Sequence, residues 1–298
     1  MIVVGARTVR QGTGPFVAEA FADMGCPVAG VVGTSAESAA EAAQALQVKL
    51  DQPVLGFVDL RQAVLSTGAD LVALCSPYAV HAEQLLQISS LNCHCLVEKP
   101  IVWPQTLQAL RAIIDAFAER GRFLQVVNQW VHSLPVFAQI YPQQTPRKKF
   151  AMRLSPVSEG ADMLIDAAPH WLNLVQYLIG PGRIEHVELP RWQPRHIIVH
   201  CQVKHDRGVL EASLELVTCP ERPRPVWYAI DDQRVERDVE LPAYQQFLVG
   251  NGRRVKLRDP LLEVVEKFLR DVSMQTPIDR AGIEHGHLGL QELMLAQP

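Results

Sequence analysis

The stretch DLVALCSPYAVHAEQLLQISSLNCHCLVEKP, Asp70–Pro100, decides how this chain folds. Leu71–Cys75 is an apolar run too short for a helix and unbroken enough for a strand buried on both faces. Ser76-Pro77 ends it, because proline has no donor for the ladder and restricts the residue before it. From Val80 the apolar spacing turns helical, with Leu85, Leu86 and Ile88 on one side. Cys93–Val97 reads as the next strand, closed by Glu98-Lys99-Pro100. A strand, crossover helix and strand of this length make a parallel βαβ unit, and ligands gather at the carboxyl ends of such strands. Ser76, Pro77 and His81 stand at one of these ends, Glu98 and Lys99 at the other.

Toward the amino terminus, Ile2–Gly5 is a short apolar strand and Pro15–Met24 a helix with Phe16, Ala20 and Phe21 on one stripe. The segment between them is Gly5-Ala6-Arg7-Thr8-Val9-Arg10-Gln11-Gly12-Thr13-Gly14. A dinucleotide fold wants a tight glycine turn here, so that a pyrophosphate sits on the helix N-terminus. Gly5 matches the first glycine of G-x-G-x-x-G and Gly14 the last, with about four extra residues between them. Either the loop still holds a nucleotide, as its flanking strand and helix suggest, or it has lost that ability. Val28–Val32 is the second strand, followed by Gly33-Thr34-Ser35 and the helix Ala36–Leu46. Val54–Val58, Leu60–Leu65, Thr106–Arg120 and Phe123–Val127 continue the alternation of strand and helix, with Asn128 at the last carboxyl end. This pattern predicts a doubly wound parallel sheet, a Rossmann-type domain over 1–128.

From 129 to 298 the pattern predicts a second, α+β domain with an open antiparallel sheet. Trp130–Tyr141 reads as a helix interrupted near Pro135, and Ile165–Leu178 as a helix ended by Gly180-Pro181-Gly182. Strands are expected at Phe150–Leu154, Ile184–Leu189, His196–Val203, Val209–Val217, Val226–Ile230 and Arg253–Leu257. Leu261–Val272 and Ile283–Leu295 are closing helices. The uncovered face of such a sheet is expected to be an apolar patch too large for a monomer, hence a homodimer or higher homo-oligomer.

At Ser76-Pro77, His81 and Glu98-Lys99-Pro100 the chain resembles the glucose–fructose oxidoreductase / inositol 2-dehydrogenase / MocA family. Its members carry a strand ending before a polar-Pro turn, a histidine opening the next helix, and Glu-Lys-Pro after the next strand. The resemblance implies a nicotinamide-dependent oxidoreductase acting on a sugar, cyclitol or related small alcohol or carbonyl. Cofactor contacts are expected from Gly5, Ala6, Arg7, Arg10, Gly12 and Gly14 in the first loop, and from Thr34 and Ser35 after the second strand, the places where a dinucleotide fold meets pyrophosphate and ribose. Further contacts are implied for Ser76, Pro77, His81, Glu98, Lys99 and Asn128, with a cis peptide before Pro100. More weakly, Asp166-Ala167-Ala168-Pro169-His170 matches the family's Asp-x-x-x-His, which makes His170 the implied acid/base. Gln129-Trp130 stands where relatives often have Arg-Phe, and the second domain is short. Relatives pair through its sheet.

Hydride transfer at a carbinol carbon also needs a proton carrier at the oxygen. Asp166 and His170, four apart, share one face of a helix, where a carboxylate fixes an imidazole's tautomer or raises its proton affinity. Lys99 would bring an ammonium to the substrate oxygen and the cofactor ribose. The bland alternative pairs Lys99 with Glu98 at a sheet end, with Asp166 capping the helix and His170 half-buried. NADP is expected over NAD: Gly33-Thr34-Ser35 offers no carboxylate to grip a ribose 2′-hydroxyl, while Arg7 or Arg10 pairs with a 2′-phosphate. In the alternative, those arginines are solvated and Glu37 holds the ribose of NAD. A non-redox, cofactor-binding regulator on the same fold is the competing function. The altered glycine loop favours it; Lys99, Asp166 and His170 together favour the enzyme.

The bulk properties set limits. A length of 298 residues suggests two domains, and 48% hydrophobic with 20% charged residues is ordinary for a globular protein. A net charge of −4 and a pI near 6.2 argue against nucleic-acid or anionic-membrane partners. No apolar run approaches a membrane span of roughly 18 residues. Met1–Gly5 lacks a basic lead and reads as a strand rather than a signal peptide. Six scattered cysteines then suggest reduced thiols in the cytoplasm. Strand alternation divides Cys93-His94-Cys95 between two faces, and His285 and His287, two apart on a helix, diverge, so no metal site is expected.

Overall fold

The structure, a computed structural model, describes residues 1–7, 12–143 and 145–298. Before residue 128, strands and α-helices alternate. They are β1 (Ile2–Val4), α1 (Gly14–Asp23), β2 (Gly30–Val32), α2 (Ala36–Leu50), β3 (Leu55–Phe57) and α3 (Leu60–Thr67). Then come β4 (Leu71–Leu74), α4 (His81–Ser90), β5 (His94–Val97), α5 (Leu107–Ala118) and β6 (Leu124–Val126). The six strands form one parallel sheet in the order β3-β2-β1-β4-β5-β6. Every residue of β4 and β5 is buried, as expected for strands covered on both faces. The strand order reverses between β1 and β4, which opens a crevice at their carboxyl ends.

In the second half a 3-10 turn, Trp130–Ser133, runs into α6 (Leu134–Ile140). Pro135 lies in the first turn of α6, where a missing N–H costs nothing, so it starts the helix instead of breaking it. There follow β7 (Lys149–Leu154), α7 (Asp162–Ile179), β8 (Gly182–Gln193), β9 (His196–His205), β10 (Gly208–Val217) and β11 (Trp227–Ile230). The chain ends with β12 (Gln233–Glu240), β13 (Gln245–Gly250), β14 (Arg253–Lys256), α8 (Pro260–Ser273) and α9 (Arg280–Leu295). The eight strands form a sheet in the order β14-β13-β12-β11-β7-β10-β9-β8, antiparallel except that β7 and β10 run parallel. The sequence pattern missed β12 and β13, because QRVERDVE buries only Val235 and otherwise reads as a charged loop.

Alternation sets the two faces of this sheet. Ile197, Val199, Cys201 and Val203 of β9 and Leu210, Ala212, Leu214 and Leu216 of β10 are buried. α7 packs on β7 and β10, with Trp171 fully buried and its Nε1 donating to the Ser213 carbonyl at 2.9 Å. The opposite face corrects the expectation of an apolar patch. It carries Arg153–Glu215 (3.9 Å), Arg234–Glu236 (2.6 Å) and Arg254–Asp238 (2.8 Å) ion pairs, with Arg234 over the Trp227 ring and Arg254 over Phe247.

The chain divides into two compact units, Met1–Val127 with Leu261–Arg280, and Asn128–Pro260 with Ala281–Pro298. The sequence reading gave everything after 128 to the second domain, and for 261–280 this is corrected. Phe268 of α8, fully buried, packs its ring 5.9 Å from both Phe21 of α1 and Phe123, and Val264 and Val265 join the same core. An amphipathic helix states that it covers something, not which sheet.

Candidate active site

The crevice is shaped by close main-chain approach. Gly5 has φ +85°, and a Cβ there would lie 2.8 Å from the Cys75 carbonyl oxygen and 2.9 Å from Ser76 N. A Cβ on Gly14 would lie 2.3 Å from the Gly5 carbonyl oxygen. The ends of β1 and β4 and the start of α1 therefore touch, and only glycine permits it. Ala6 is buried, so it presents backbone alone; a Cβ at Gly12 would meet nothing within 4 Å among the described residues. The first turn of α1 has no acidic side chain to repel a phosphate. Arg10 lies outside the described residues.

Beyond β2, Ser35 caps α2: its Oγ accepts from Ser38 N at 3.1 Å and donates to Ser38 Oγ at 3.2 Å. That hydroxyl is committed to the helix, which leaves exposed Thr34 as the side chain available there. Arg7 reaches the same helix, pairing Nη2 with Glu41 Oε2 at 3.2 Å, while its buried Nε has no partner among the described residues. Glu37 is exposed in the first turn of α2.

At the ends of β4 and β5 the organising side chain is His81. It is fully buried at the start of α4, with Nε2 2.8 Å from the Ser76 carbonyl and Nδ1 3.0 Å and 3.2 Å from those of Pro100 and Ile101. The ring ties the end of β4 to the chain leaving β5. Burial pushes its pKa below the usual 6.5, although the carbonyls pull the other way. The Lys99–Pro100 peptide is cis, as the resemblance implied. Glu98 is buried; Oε2 accepts the Lys99 backbone N–H at 3.2 Å, and Oε1 has no partner among the described residues. Ser76 Oγ donates to Gln84 Oε1 at 2.5 Å, and Pro77 leads into a one-turn 3-10 helix. Asn128 follows Val127, whose N–H extends the ladder to the Val97 carbonyl at 2.8 Å.

In the second unit, Asp166 and His170 are interior residues of α7, one turn apart and half-buried, so Asp166 does not cap the helix. Ser158 Oγ donates to Asp166 Oδ2 at 3.4 Å. Sequence reasoning missed a group of arginines in this unit. Arg224 Nε donates to the Cys219 carbonyl at 3.1 Å, and Arg237 Nη2 to the Arg224 carbonyl at 2.5 Å. Burial and the Arg222 charge lower the Arg224 pKa, while Asp166 raises it; burial likewise lowers that of Arg237, with Arg224 and Arg222 adding to the effect. The signal was present as Arg222-Pro223-Arg224-Pro225, two cations fixed between prolines.

A parallel sheet in this order, with a glycine-lined switch point and a Glu-Lys-Pro beside it, defines a dinucleotide-binding dehydrogenase architecture. Residues 1–128 match the GFO_IDH_MocA model, an oxidoreductase family with an NAD-binding Rossmann fold. No curated protein matches the sequence. The solved UDP-N-acetylglucosamine 3-dehydrogenase GnnA from Acidithiobacillus ferrooxidans is similar over 99% of this chain and 96% of its own, at 20% identity and a TM-score of 0.72. KijD10, a 3-ketoreductase from Actinomadura kijaniata in complex with NADP and TDP-benzene, is similar over 99% and 96%, at 12% identity and a TM-score of 0.74. The dehydrogenase MviM from Clostridium difficile is similar over 99% and 97%, at 13% identity and a TM-score of 0.69. At these identities the likeness establishes the fold across both halves. Among the described residues no helix is long and apolar enough to cross a membrane.

Proposed function

We propose that the chain is a cytoplasmic, NADP(H)-dependent oxidoreductase moving a hydride between nicotinamide and a sugar, cyclitol or related alcohol or carbonyl carbon. The observation that carries this reading is the contact of Gly5, Gly14 and Ser76 at the switch point, a cradle that any Cβ would fill. The buried, unpartnered Oε1 of Glu98 beside it fits a site built to meet a ligand. When bound, the nicotinamide gives or takes the hydride. His170 holds or moves the proton at the substrate oxygen, oriented by Asp166 one turn earlier. Lys99 supplies positive charge to that oxygen as negative charge develops on it. Thr34 and Arg7 suit a 2′-phosphate, and Glu37 is the group that would hold the ribose of NAD instead.

Among sugars, one carried on a nucleoside diphosphate is favoured. Arg237 has a buried Nε without a partner among the described residues, close to Arg222 and Arg224, and Arg224 in turn is close to Asp166. An anionic substrate answers that charge. GnnA and KijD10, by their names and bound ligands, are sugar-nucleotide enzymes or bind TDP-benzene. The lengthened glycine loop favours one other reading, a regulator that binds cofactor without redox chemistry. Titration with NADP and NAD, followed by absorbance of the reduced nicotinamide with free sugars, cyclitols and UDP- and TDP-sugars, separates the readings. Tighter NADP binding that Arg7→Ala weakens, and turnover of a nucleotide sugar, are expected. Cofactor binding with no turnover across the panel points to the regulator, equal or tighter NAD binding removes the NADP preference, and absence of any cofactor binding overturns both readings.

A further inference from the structure

A cavity of about 520 Å³ lies in the first unit at the amino-terminal ends of β5 and β6, the opposite end of β5 from Lys99. Its lining is apolar at Ile114, Ala118, Phe123, Val272 and Ile278, and polar at His94, Arg122, Gln275, Thr276 and Arg280. His94, the first residue of β5, is only 9% exposed. Its Nδ1 accepts the Phe123 backbone N–H at 2.9 Å. A backbone amide only donates, so Nδ1 bears no proton and the neutral ring carries its proton on Nε2. That Nε2 faces Arg122 Nη1 at 3.0 Å. A guanidinium has no acceptor, so two donors confront each other across a hydrogen-bond distance.

The usual escapes are closed. Turning the imidazole over would forfeit the Phe123 bond, and Arg122 is held in place by its Nε, which donates to Asn92 Oδ1 at 2.8 Å. Protonation of the ring would worsen the conflict, and both burial and the Arg122 charge drive its pKa below 6.5 against a weaker pull from Asp70. At the rim, Arg280 is already paired with Asp115. Arg122 makes no ion pair among the described residues. What both donors lack is an acceptor between them, and what the guanidinium lacks is one negative charge.

We propose that this cavity binds a small organic monocarboxylate, with its oxygens on Arg122 Nη1 and His94 Nε2 and its hydrocarbon body against the apolar lining. Two adjacent donors match the two oxygens of one carboxylate, and one unbalanced cation matches one charge. The volume exceeds what a bare ion needs and falls within the range of small-molecule pockets. The site is independent of the oxidoreductase reading.

Calorimetric titration of the full chain with acetate, butyrate, benzoate and inorganic phosphate tests it. Affinity is expected to rise from acetate to butyrate by up to roughly fourfold per buried methylene, to favour benzoate further, and to be weakest for phosphate. Arg122→Gln is expected to weaken benzoate about tenfold or more, and Ala118→Phe to block it by filling the cavity. Both variants should keep the parent's melting temperature within a few degrees, since neither touches the core of the sheet. In the parent protein, benzoate should shift the His94 Nε2 proton and nitrogen resonances. Phosphate binding as tightly as benzoate, benzoate binding unchanged in Arg122→Gln, or no heat at millimolar benzoate would each overturn the proposal.

Discussion

At the scale of the residue, the buried histidines set the acid limit of the fold. Both His81 and His94 have pKa values held below 6.5, by burial first. Below pH 6.5 the unfolded chain takes up protons that the native rings refuse, so the unfolded state binds more protons and stability falls as pH falls. Each unit of pKa depression is worth about 1.4 kcal/mol once pH lies below the folded value. Urea midpoints should therefore drop between pH 7.5 and pH 5, and His81→Gln should flatten part of that slope while lowering stability overall. A midpoint independent of pH over this window would contradict the assignment. His170 makes a kinetic prediction. His170→Ala should cut turnover by roughly 10²–10⁴-fold with cofactor affinity nearly intact. If Lys99 serves the same transition state, Lys99→Ala combined with it should cost less than the two single losses multiplied together.

At the scale of the element, the loop joining β1 to α1 depends on glycine at both ends. Gly14→Ala would thrust a methyl group to within 2.3 Å of the Gly5 carbonyl, and backbone has to move to relieve it. A loss of roughly 1–3 kcal/mol in stability is expected, with cofactor affinity falling further than stability because α1 is displaced from the crevice. Gly12→Ala, whose Cβ meets nothing within 4 Å among the described residues, is the matched control and should be nearly silent in stability. Equal effects from the two would mean that the cradle is not built by close approach. The β4–α4–β5 unit was legible because buried parallel strands are continuous apolar runs bounded by proline and polar residues. β12 was not legible, since a strand at the charged end of a half-open sheet alternates arginine and glutamate around a single buried valine.

At the scale of the whole molecule, α8 makes the first unit discontinuous in sequence. Residues 1–128 alone would leave Phe21 and Phe123 without Phe268, and should be partly unfolded and bind a hydrophobic dye, whereas the full chain should not. In the full chain, Phe268→Ala should cost about 3–5 kcal/mol. A fragment 1–128 that melts cooperatively near the parent temperature would show α8 to be dispensable. Self-association rests on the resemblance alone, now that the outward face of the eight-stranded sheet is seen to carry ion pairs. If copies pair through that face, their assembly should weaken as salt screens it. Light scattering at low and high salt measures this directly, and a mass near 33 kDa at micromolar concentration in low salt would remove the idea.

What the sequence determined by itself was local and periodic. The run Leu71–Cys75, the turn at Ser76-Pro77, the periodic helix ending at Gly121 and the match of Gly5 and Gly14 to the ends of a glycine fingerprint all follow from short-range rules of packing, donors and φ. The family marks at His81 and Glu98-Lys99-Pro100 were short-range too. Only the tertiary structure decided what depends on partners distant in the chain. It assigned α8 to the parallel sheet, spent the Ser35 hydroxyl on a helix cap, gathered Arg222 and Arg237 around Arg224 with Asp166 beside the last, and set His94 against Arg122. An apolar stripe, a hydroxyl or a cation carries the same letters whatever it faces. Its role is fixed by the group that long-range folding brings opposite it.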